Sequence, residues 1–203
     1  VLGDNRDAAG YYCMWTAKAA FVNCTFYENK VIGGQRGGAL NVNAGDLDVI
    51  NCTIHKNDGK SMGGGIQIRT ATAKVRIYNS VIAGNIAATA GMEELGYDNE
   101  SAARAVIRNS VVGTAVYDAG GSITAGASFD AATMFGTFGN NGGHTSTITL
   151  TGSNNPAVSG GMSASELSAV VKDTLVPAAD AALVTKDQTG AERSGKHMGA
   201  CVR

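Results

Sequence analysis

The 203-residue sequence predicts an all-β fold, a right-handed single-stranded parallel β-helix built from coils of about 28 residues. Two observations indicate this fold class: a repeated strand motif and repeated asparagines, both with the same spacing along the chain. The composition agrees, with 28 glycines and only 2 prolines. Glycine and asparagine adopt positive φ at little cost, which suits a fold of short strands and tight turns.

The repeated motif is a short apolar strand that ends in asparagine and leads into a second strand. Four segments carry it, at residues 18–26, 46–54, 74–82 and 104–112. Two sets of asparagines keep the period. Their members are Asn23, Asn51, Asn79 and Asn109, spaced by 28, 28 and 30 residues, and Asn29, Asn57 and Asn85, spaced by 28 and 28. Stacked on successive coils, these residues predict asparagine ladders at the turns.

Alternation within the motif predicts which side chains face the core. Two columns are apolar and should point inward: Ala19, Leu47, Val75 and Ala105, and Phe21, Val49, Ile77 and Ile107. A third column should face water: Lys18, Asp46, Lys74 and Arg104. Its first three members alternate in sign, so neighbouring coils should attract each other weakly at this position.

The first residues fit the same template, with 2–5 aligned to 26–29 and 10–12 aligned to 38–40. The repeat therefore begins in the middle of a coil. Because a solenoid end needs a cover for its core and its strand edges, we expect either further coils before Val1 or another chain docked there. A second copy of this chain, stacked through the open N-terminal coil, is one such partner.

Residues 26–29 (Phe-x-x-Asn) and 37–40 (Gly-Gly-Ala-Leu) resemble the repeat of chlamydial polymorphic outer-membrane proteins and related bacterial β-helix proteins, over residues 1 to about 112. Residues 136–203 resemble the choice-of-anchor Q segment of bacterial surface proteins, through 140–143 (Asn-Asn-Gly-Gly), 187–190 (Asp-Gln-x-Gly) and Gly199-Ala200. These resemblances imply a pectin-lyase-like solenoid, an extracellular or cell-surface location, and adhesion to a glycan or host surface.

The organisation predicted from these motifs has two parts. Residues 1–118 form the regular coils, and residues 119–203 form the last coils and a closing segment. In the second part, Ser163 and Glu166 have the spacing of a capping box, which predicts a short helix. We expect this helix to belong to a cap over the lower end of the solenoid.

Charge and cysteine spacing exclude several partners. With 16 Lys and Arg against 17 Asp and Glu, the chain lacks the basic footprint that nucleic-acid binding requires. No run of 18 apolar residues predicts a transmembrane segment. The four cysteines, Cys13, Cys24, Cys52 and Cys201, lack zinc-site spacing, so we predict no metal and no cofactor. Cys24 and Cys52 suit core positions, and the sequence does not decide whether Cys13 and Cys201 form a disulfide.

One set of residues could serve catalysis. Asp46 and Asp48 share one face of a strand, and Arg76 should lie one coil below Asp48. Polysaccharide lyases need carboxylates for calcium and a basic residue, whereas glycoside hydrolases need two or three carboxylates facing one groove. A surface ion pair between Asp48 and Arg76 explains the same residues more simply.

Binding candidates are aromatic residues near the upper end and residues of a long loop at 87–103. The first group could stack on sugar rings or pack against further coils: Tyr11, Tyr12, Trp15 and Tyr27. The loop, which we expect to protrude, contributes Glu93, Glu94 and Tyr97. The leading hypothesis is a non-catalytic extracellular or cell-surface protein that serves adhesion or contacts carbohydrate. The alternatives are filament formation by end-to-end stacking, and a lyase or hydrolase.

Overall fold

A computed structural model of the chain describes residues 2–3, 8–33, 36–98, 105–113, 123–125 and 129–202. It confirms the predicted fold class: short parallel strands form three sheets that stack as a β-solenoid, with a few short helices toward the C-terminus. Arg104 and Asn5, which entered the sequence alignment, lie outside the described residues.

Each coil contributes one strand to each of three parallel sheets. Sheet 1 contains β2 (Tyr11–Met14), β6 (Leu40–Asn43), β9 (Ile66–Ile68) and β12 (Leu95–Tyr97). Sheet 2 contains β3 (Lys18–Val22), β7 (Asp46–Ile50), β10 (Lys74–Tyr78) and β13 (Ala105–Arg108). Sheet 3 contains β4 (Thr25–Tyr27), β8 (Thr53–His55), β11 (Val81–Ile82), β14 (Ser110–Val112) and β15 (Ile123–Ala125). Above them, β1 (Leu2–Gly3) pairs with β5 (Lys30–Val31).

The strand register follows the predicted period in sheet 2. Ala19 pairs with Leu47, Leu47 with Val75, and Val75 with Ala105. Sheet 1 departs from this spacing, because Leu40 pairs with Ile66 and Ile66 pairs with Leu95. The loops on both sides of sheet 1 therefore differ in length between coils, while the step from sheet 2 to sheet 3 is the same in every coil.

The inward columns form the core, as alternation predicted. Leu47, Val49, Val75, Ile77 and Ile107 are buried, and they pack with the inward residues of sheet 1 in one apolar cluster. In the uppermost coil the corresponding Ala19 and Phe21 are only partly buried. Lys18, Asp46 and Lys74 face outward and are exposed or partly exposed.

The predicted alignment of the first coil was wrong by four residues at Leu2 and by one residue at Tyr11. Leu2 pairs with Lys30 rather than occupying the position of Phe26, and Tyr11 pairs with Leu40 rather than Ala39. The alignment depended on matching turn residues, and turns change length between coils. Paired backbones set the register instead.

The C-terminal part consists of short elements. They are α1 (Ala131–Met134), the antiparallel strands β16 (Phe135–Gly139) and β17 (Thr147–Leu150), α2 (Pro156–Ser159), α3 (Ala164–Val170) and 3₁₀ segments at Val171–Asp173 and Ala178–Thr185. The capping box is confirmed, since Ser163 Oγ accepts from the backbone N–H of Glu166 while the carboxylate of Glu166 accepts from that of Ser163.

These C-terminal elements lie along the side of the coils, and not over the lower end as predicted. Leu167 and Val184 pack on Ile50 and Tyr78, which point outward from sheet 2. A second cluster attaches the β16–β17 hairpin to the outer face of sheet 3, through Phe135, Ile148, Val81 and Val111. Among the described residues, no helix is long and apolar enough to cross a membrane.

Candidate functional site

The first asparagine ladder, Asn29–Asn57–Asn85, is buried and runs along the stack. The Oδ1 of Asn57 accepts from the backbone N (3.0 Å) and Nδ2 (2.9 Å) of Asn29. The Oδ1 of Asn85 accepts in the same way from Asn57, at 2.9 Å for both donors. Each amide therefore satisfies a turn N–H of the coil above, which confirms the predicted ladder.

Glu94 occupies the next rung of this ladder. Its Oε2 accepts from Asn85 Nδ2 at 2.5 Å, and its Oε1 accepts from the backbone N of Gly84 at 2.8 Å. Burial raises the pKa of this carboxyl to about 7, against the opposing effect of the hydrogen bonds from Asn85 and Gly84. The prediction that Glu94 lies in a protruding loop was wrong, because asparagine and glutamate can supply the same acceptor.

The same correction applies to Tyr97, which belongs to β12 and is 2% exposed. Its ring lies in the main apolar cluster, because β12 continues sheet 1 beneath β9. A buried ring cannot stack on a ligand from solvent. Glu93 precedes this strand and is partly exposed, and its backbone carbonyl accepts from Gly65 N at 3.0 Å.

The second asparagine column anchors the C-terminal part. All four residues have positive φ, between 45° and 56°: Asn23, Asn51, Asn79 and Asn109. Their Nδ2 groups donate to the carbonyls of Leu183, Val184, His197 and Gly160, respectively. Within this column Asn51 also donates to Asn23, and Asn79 to Asn51. The predicted stacking is confirmed, and its contacts with the C-terminal part are an addition.

Arg193 strengthens this attachment from the C-terminal side. The guanidinium is buried and donates to the carbonyls of Lys186, His197 and Gly199 at 2.9, 3.1 and 2.6 Å. Burial lowers its pKa to about 10. A buried arginine with three carbonyl partners holds two stretches of backbone together, at Lys186 and at residues 197–199.

The candidate catalytic residues form a structural ion pair. Asp48 is 0% exposed, and its Oδ1 accepts from Arg76 Nε at 2.5 Å. Its other oxygen accepts from the backbone N of Leu175 in the C-terminal part. Both oxygens thus have partners, and the pair lies beneath the C-terminal part rather than on the surface. Asp46 is partly exposed and pairs in register with Lys18 and Lys74.

Two of the aromatic candidates pack inside the protein. Tyr11 points inward, with its ring edge-on to Phe21 at 5.2 Å between centroids. Tyr27 points outward from sheet 3, but it stacks on Phe138 of the β16–β17 hairpin at 4.5 Å. The structure thus gives both rings protein neighbours.

Of the remaining two aromatic residues, Tyr12 points outward from β2, and Trp15 lies in the turn that follows this strand. Within the described chain, the hydrogen bonds and apolar clusters that attach residues 129–202 to the coils involve sheets 2 and 3. Of the outward side chains of sheet 1, Gln67 is fully buried, whereas Tyr12 and Arg69 are partly exposed. Trp15 follows β2 with φ of 51° and is 70% exposed.

A polar network crosses this face and connects four strands. Arg69 Nη1 donates to the hydroxyl of Tyr12 at 2.9 Å, and Arg69 Nε donates to Asp98 Oδ2 at 3.2 Å. The other oxygen of Asp98 accepts from Gln67 Nε2 at 2.8 Å. Asn43 Nδ2 lies 3.4 Å from the Tyr12 hydroxyl. We call these five hydrogen-bonded side chains, together with the exposed Trp15 that follows β2, the sheet 1 network: Tyr12, Trp15, Asn43, Gln67, Arg69 and Asp98.

Arg36 extends the sheet 1 network at its edge by forming an ion pair with Asp98. Gly96 lies beside Gln67, where an added Cβ would come within 2.2 Å of Gln67 Oε1. Only glycine leaves room for the glutamine side chain to reach Asp98. The side chains of this face are therefore held in fixed positions, and the guanidinium groups of Arg36 and Arg69 both pair with the carboxylate of Asp98.

The sequence predicted only Tyr12 and Trp15 of this network. Asn43, Gln67, Arg69 and Asp98 lie at outward positions in or just after the strands of sheet 1. Polar residues alternating with Leu40, Val42, Ile66 and Ile68 were the available signal. The changing coil length in sheet 1 concealed which of them share a column.

No family model matches the chain, and comparisons with curated proteins and with solved structures also give no match.

Proposed function

We propose that this chain is a non-catalytic β-helix protein of the extracellular or cell-surface type, which contacts carbohydrate through the sheet 1 network. Two observations carry the proposal: Trp15, which directly follows β2, is exposed, and the outer face of the same sheet holds the hydrogen-bonded side chains of Tyr12, Arg69 and Asp98. The location follows from the resemblance of the repeats to bacterial surface proteins.

The chemistry of the face suits a sugar. Planar aromatic rings offer an apolar surface with little rotamer freedom, which complements the C–H face of a pyranose ring. Arginine, asparagine and carboxylate groups supply donors and acceptors for hydroxyl groups, and their mutual hydrogen bonds hold them in place. Such preorganisation reduces the entropy lost on binding.

A glycan array followed by calorimetry with the strongest ligand tests the proposal. Trp15→Ala and Arg69→Ala should each weaken binding by about tenfold or more, since loss of one good contact is worth about 1.4 kcal/mol. Matched controls are Ile86→Ala, which removes an exposed apolar side chain elsewhere, and Arg108→Ala, which removes an exposed arginine from sheet 2. Binding that persists in both test variants contradicts the proposal.

A second candidate function, end-to-end stacking, is favoured by the uppermost coil. In the described chain, β2, β3 and β4 are each the last strand of their sheet. Phe21 in β3 and Phe26 in β4 point toward the core and are only partly buried. Strand edges of this kind can pair with another chain.

Light scattering and electron microscopy over a concentration series test this stacking. Growth of filaments with concentration would support it, and Ala19→Lys, which places a charge among the uppermost inward residues, should then abolish the filaments. A monomer at all concentrations contradicts it.

A further inference from the structure

Cys24 and Cys52 occupy equivalent positions on the first and second coils. The pairs on either side are in register, with Val22 opposite Ile50 and Thr25 opposite Thr53. The backbone N of Thr53 donates to the carbonyl of Cys24 at 2.9 Å, so the two cysteines face each other across adjacent strands. Neighbouring strands lie about 4.8 Å apart, which falls within the Cα separation that a disulfide spans.

The two thiols contact each other but differ in environment. Cys52 is fully buried, with Sγ 3.4 Å from the carbonyl oxygen of Phe21 in the coil above. Cys24 is half-buried. The hydrogen bond from the Cys52 thiol lowers the pKa of Cys24, whereas burial raises the pKa of Cys52 well above its usual value. Cys24 is therefore the better nucleophile at neutral pH.

Cys24 is partly exposed, so a small reagent can reach it. It is one of the residues around an open cavity of about 260 Å³, with Val176, Pro177 and Leu183, while its side chain packs against the main apolar cluster. The next rungs of the same column are Ser80 and Ser110, whose hydroxyls accept from the backbone N of Cys52 and Ser80, respectively. The thiol chemistry is thus confined to the two uppermost coils.

We propose that Cys24 and Cys52 form an oxidisable dithiol site that reacts with low-molecular-weight disulfides. The Cys24 thiolate attacks one sulfur of the reagent, forming a mixed disulfide and releasing one thiolate, which takes up the proton that Cys24 lost. The sulfur of Cys52 then attacks the sulfur of Cys24, loses its proton, and releases the second reagent thiol. Two cysteine thiols are oxidised to one disulfide, and one reagent disulfide is reduced to two thiols.

The product ties the first coil to the second. The disulfide joins two residues that are 28 positions apart, Cys24 and Cys52, and closes a loop that includes the turn with Asn29. Such a cross-link restricts the unfolded chain and prevents β3 and β4 from separating from β7 and β8. This inference does not depend on carbohydrate binding, because the cysteines are remote in the fold from the outer face of sheet 1.

Incubation of the full chain with hydroxyethyl disulfide tests the site. We expect the intact mass to fall by two hydrogen atoms, peptide mapping to join Cys24 to Cys52, and the thermal midpoint to rise by about 5 °C in a manner reversed by dithiothreitol. Cys52→Ser should stop at a mixed disulfide on Cys24. Cys24→Ser should give no reaction at Cys52.

Cys13→Ala and Cys201→Ala are the matched controls, since each removes a buried thiol outside the pair and should leave closure unchanged. A peptide map of the wild-type chain needs no variant to fold and decides alone. A bridge between other cysteines, or Cys24 and Cys52 both remaining alkylatable after unfolding, would overturn the proposal.

Discussion

The two asparagine columns share one residue type and one period, but they have different structural roles. In Asn29, Asn57 and Asn85 the side chain is the important part, because each amide oxygen satisfies the backbone of the coil above. In Asn23, Asn51, Asn79 and Asn109 the backbone is equally important, because each residue has positive φ and uses its amide to hold the C-terminal part. A repeated residue therefore does not imply a repeated role.

The largest loss of stability is expected from a substitution in the middle of the buried asparagine ladder. Asn57→Ala removes the acceptor for Asn29 and the donor to Asn85 and to the carbonyl of Phe26. Leaving several buried groups without partners should destabilise the protein by about 3 kcal/mol. Chemical denaturation monitored by circular dichroism measures this loss. Asn57→Gly should be no better, since the backbone there does not have positive φ.

The Glu94 rung predicts how the ladder responds to pH. The folded pKa is raised from 4.5 to about 7, so the folded state binds more protons than the unfolded state between these values. This contribution to stability is fully present below about pH 4.5 and is lost as pH rises through about 7, by up to about 3 kcal/mol.

Denaturation at a series of pH values, for the wild type and for Glu94→Gln, measures this linkage. The variant cannot titrate, so its stability should depend less on pH between 4.5 and 7. Parallel profiles would show that another group causes the dependence, and would remove Glu94 from the ladder's pH response.

A substitution at Arg193 tests how firmly the C-terminal part is attached to the second asparagine column. Arg193→Ala leaves the carbonyls of Lys186, His197 and Gly199 without a buried donor. We expect a loss of about 2 kcal/mol together with faster proteolysis within residues 178–202, while the coils stay intact. Lys196→Ala, which changes an exposed residue nearby, serves as the control. Equal protection in both variants would contradict the anchoring role.

The smallest expected difference in stability is between two substitutions of Asn51, which separate the contribution of its backbone conformation from that of its side chain. Asn51→Ala loses the amide contacts and places a Cβ-bearing residue at φ of 53°, for about 2 kcal/mol in total. Asn51→Gly loses the same contacts but accepts the backbone, so it should lose only about 1 kcal/mol. Equal thermal midpoints for the two variants would show that positive φ does not matter there, and the distinction between the columns would fail.

Sequence periodicity predicted the coils well because stacked strands require a constant register. The inward columns that contain Leu47 and Val49, and both sets of asparagines, could be placed before the structure. The position of the C-terminal part could not, although Ile50 and Tyr78 provided a signal. Both are apolar at outward positions, which indicates a surface that another element covers.

Most of the sheet 1 network could not be predicted from the sequence, for a related reason. Its residues share a column only through the actual pairing of Leu40 with Ile66 and Ile66 with Leu95, and no fixed period reproduces these pairs. Glu94 escaped because it replaces an asparagine by a different residue type at the same rung. Hydrogen-bonding capacity, rather than residue identity, is what the ladder repeats.

The variable length of the loops on both sides of sheet 1 has a consequence for how this protein can change over time. Insertions and deletions in these loops alter the border of the sheet 1 face, where Arg36 and Asp98 lie, without changing the step from sheet 2 to sheet 3. Selection can therefore reshape this border while the asparagine columns stay in place. The same two sets of loops are where an engineer could insert a new segment, because the residues that vary there are not the residues that maintain the stacked strands.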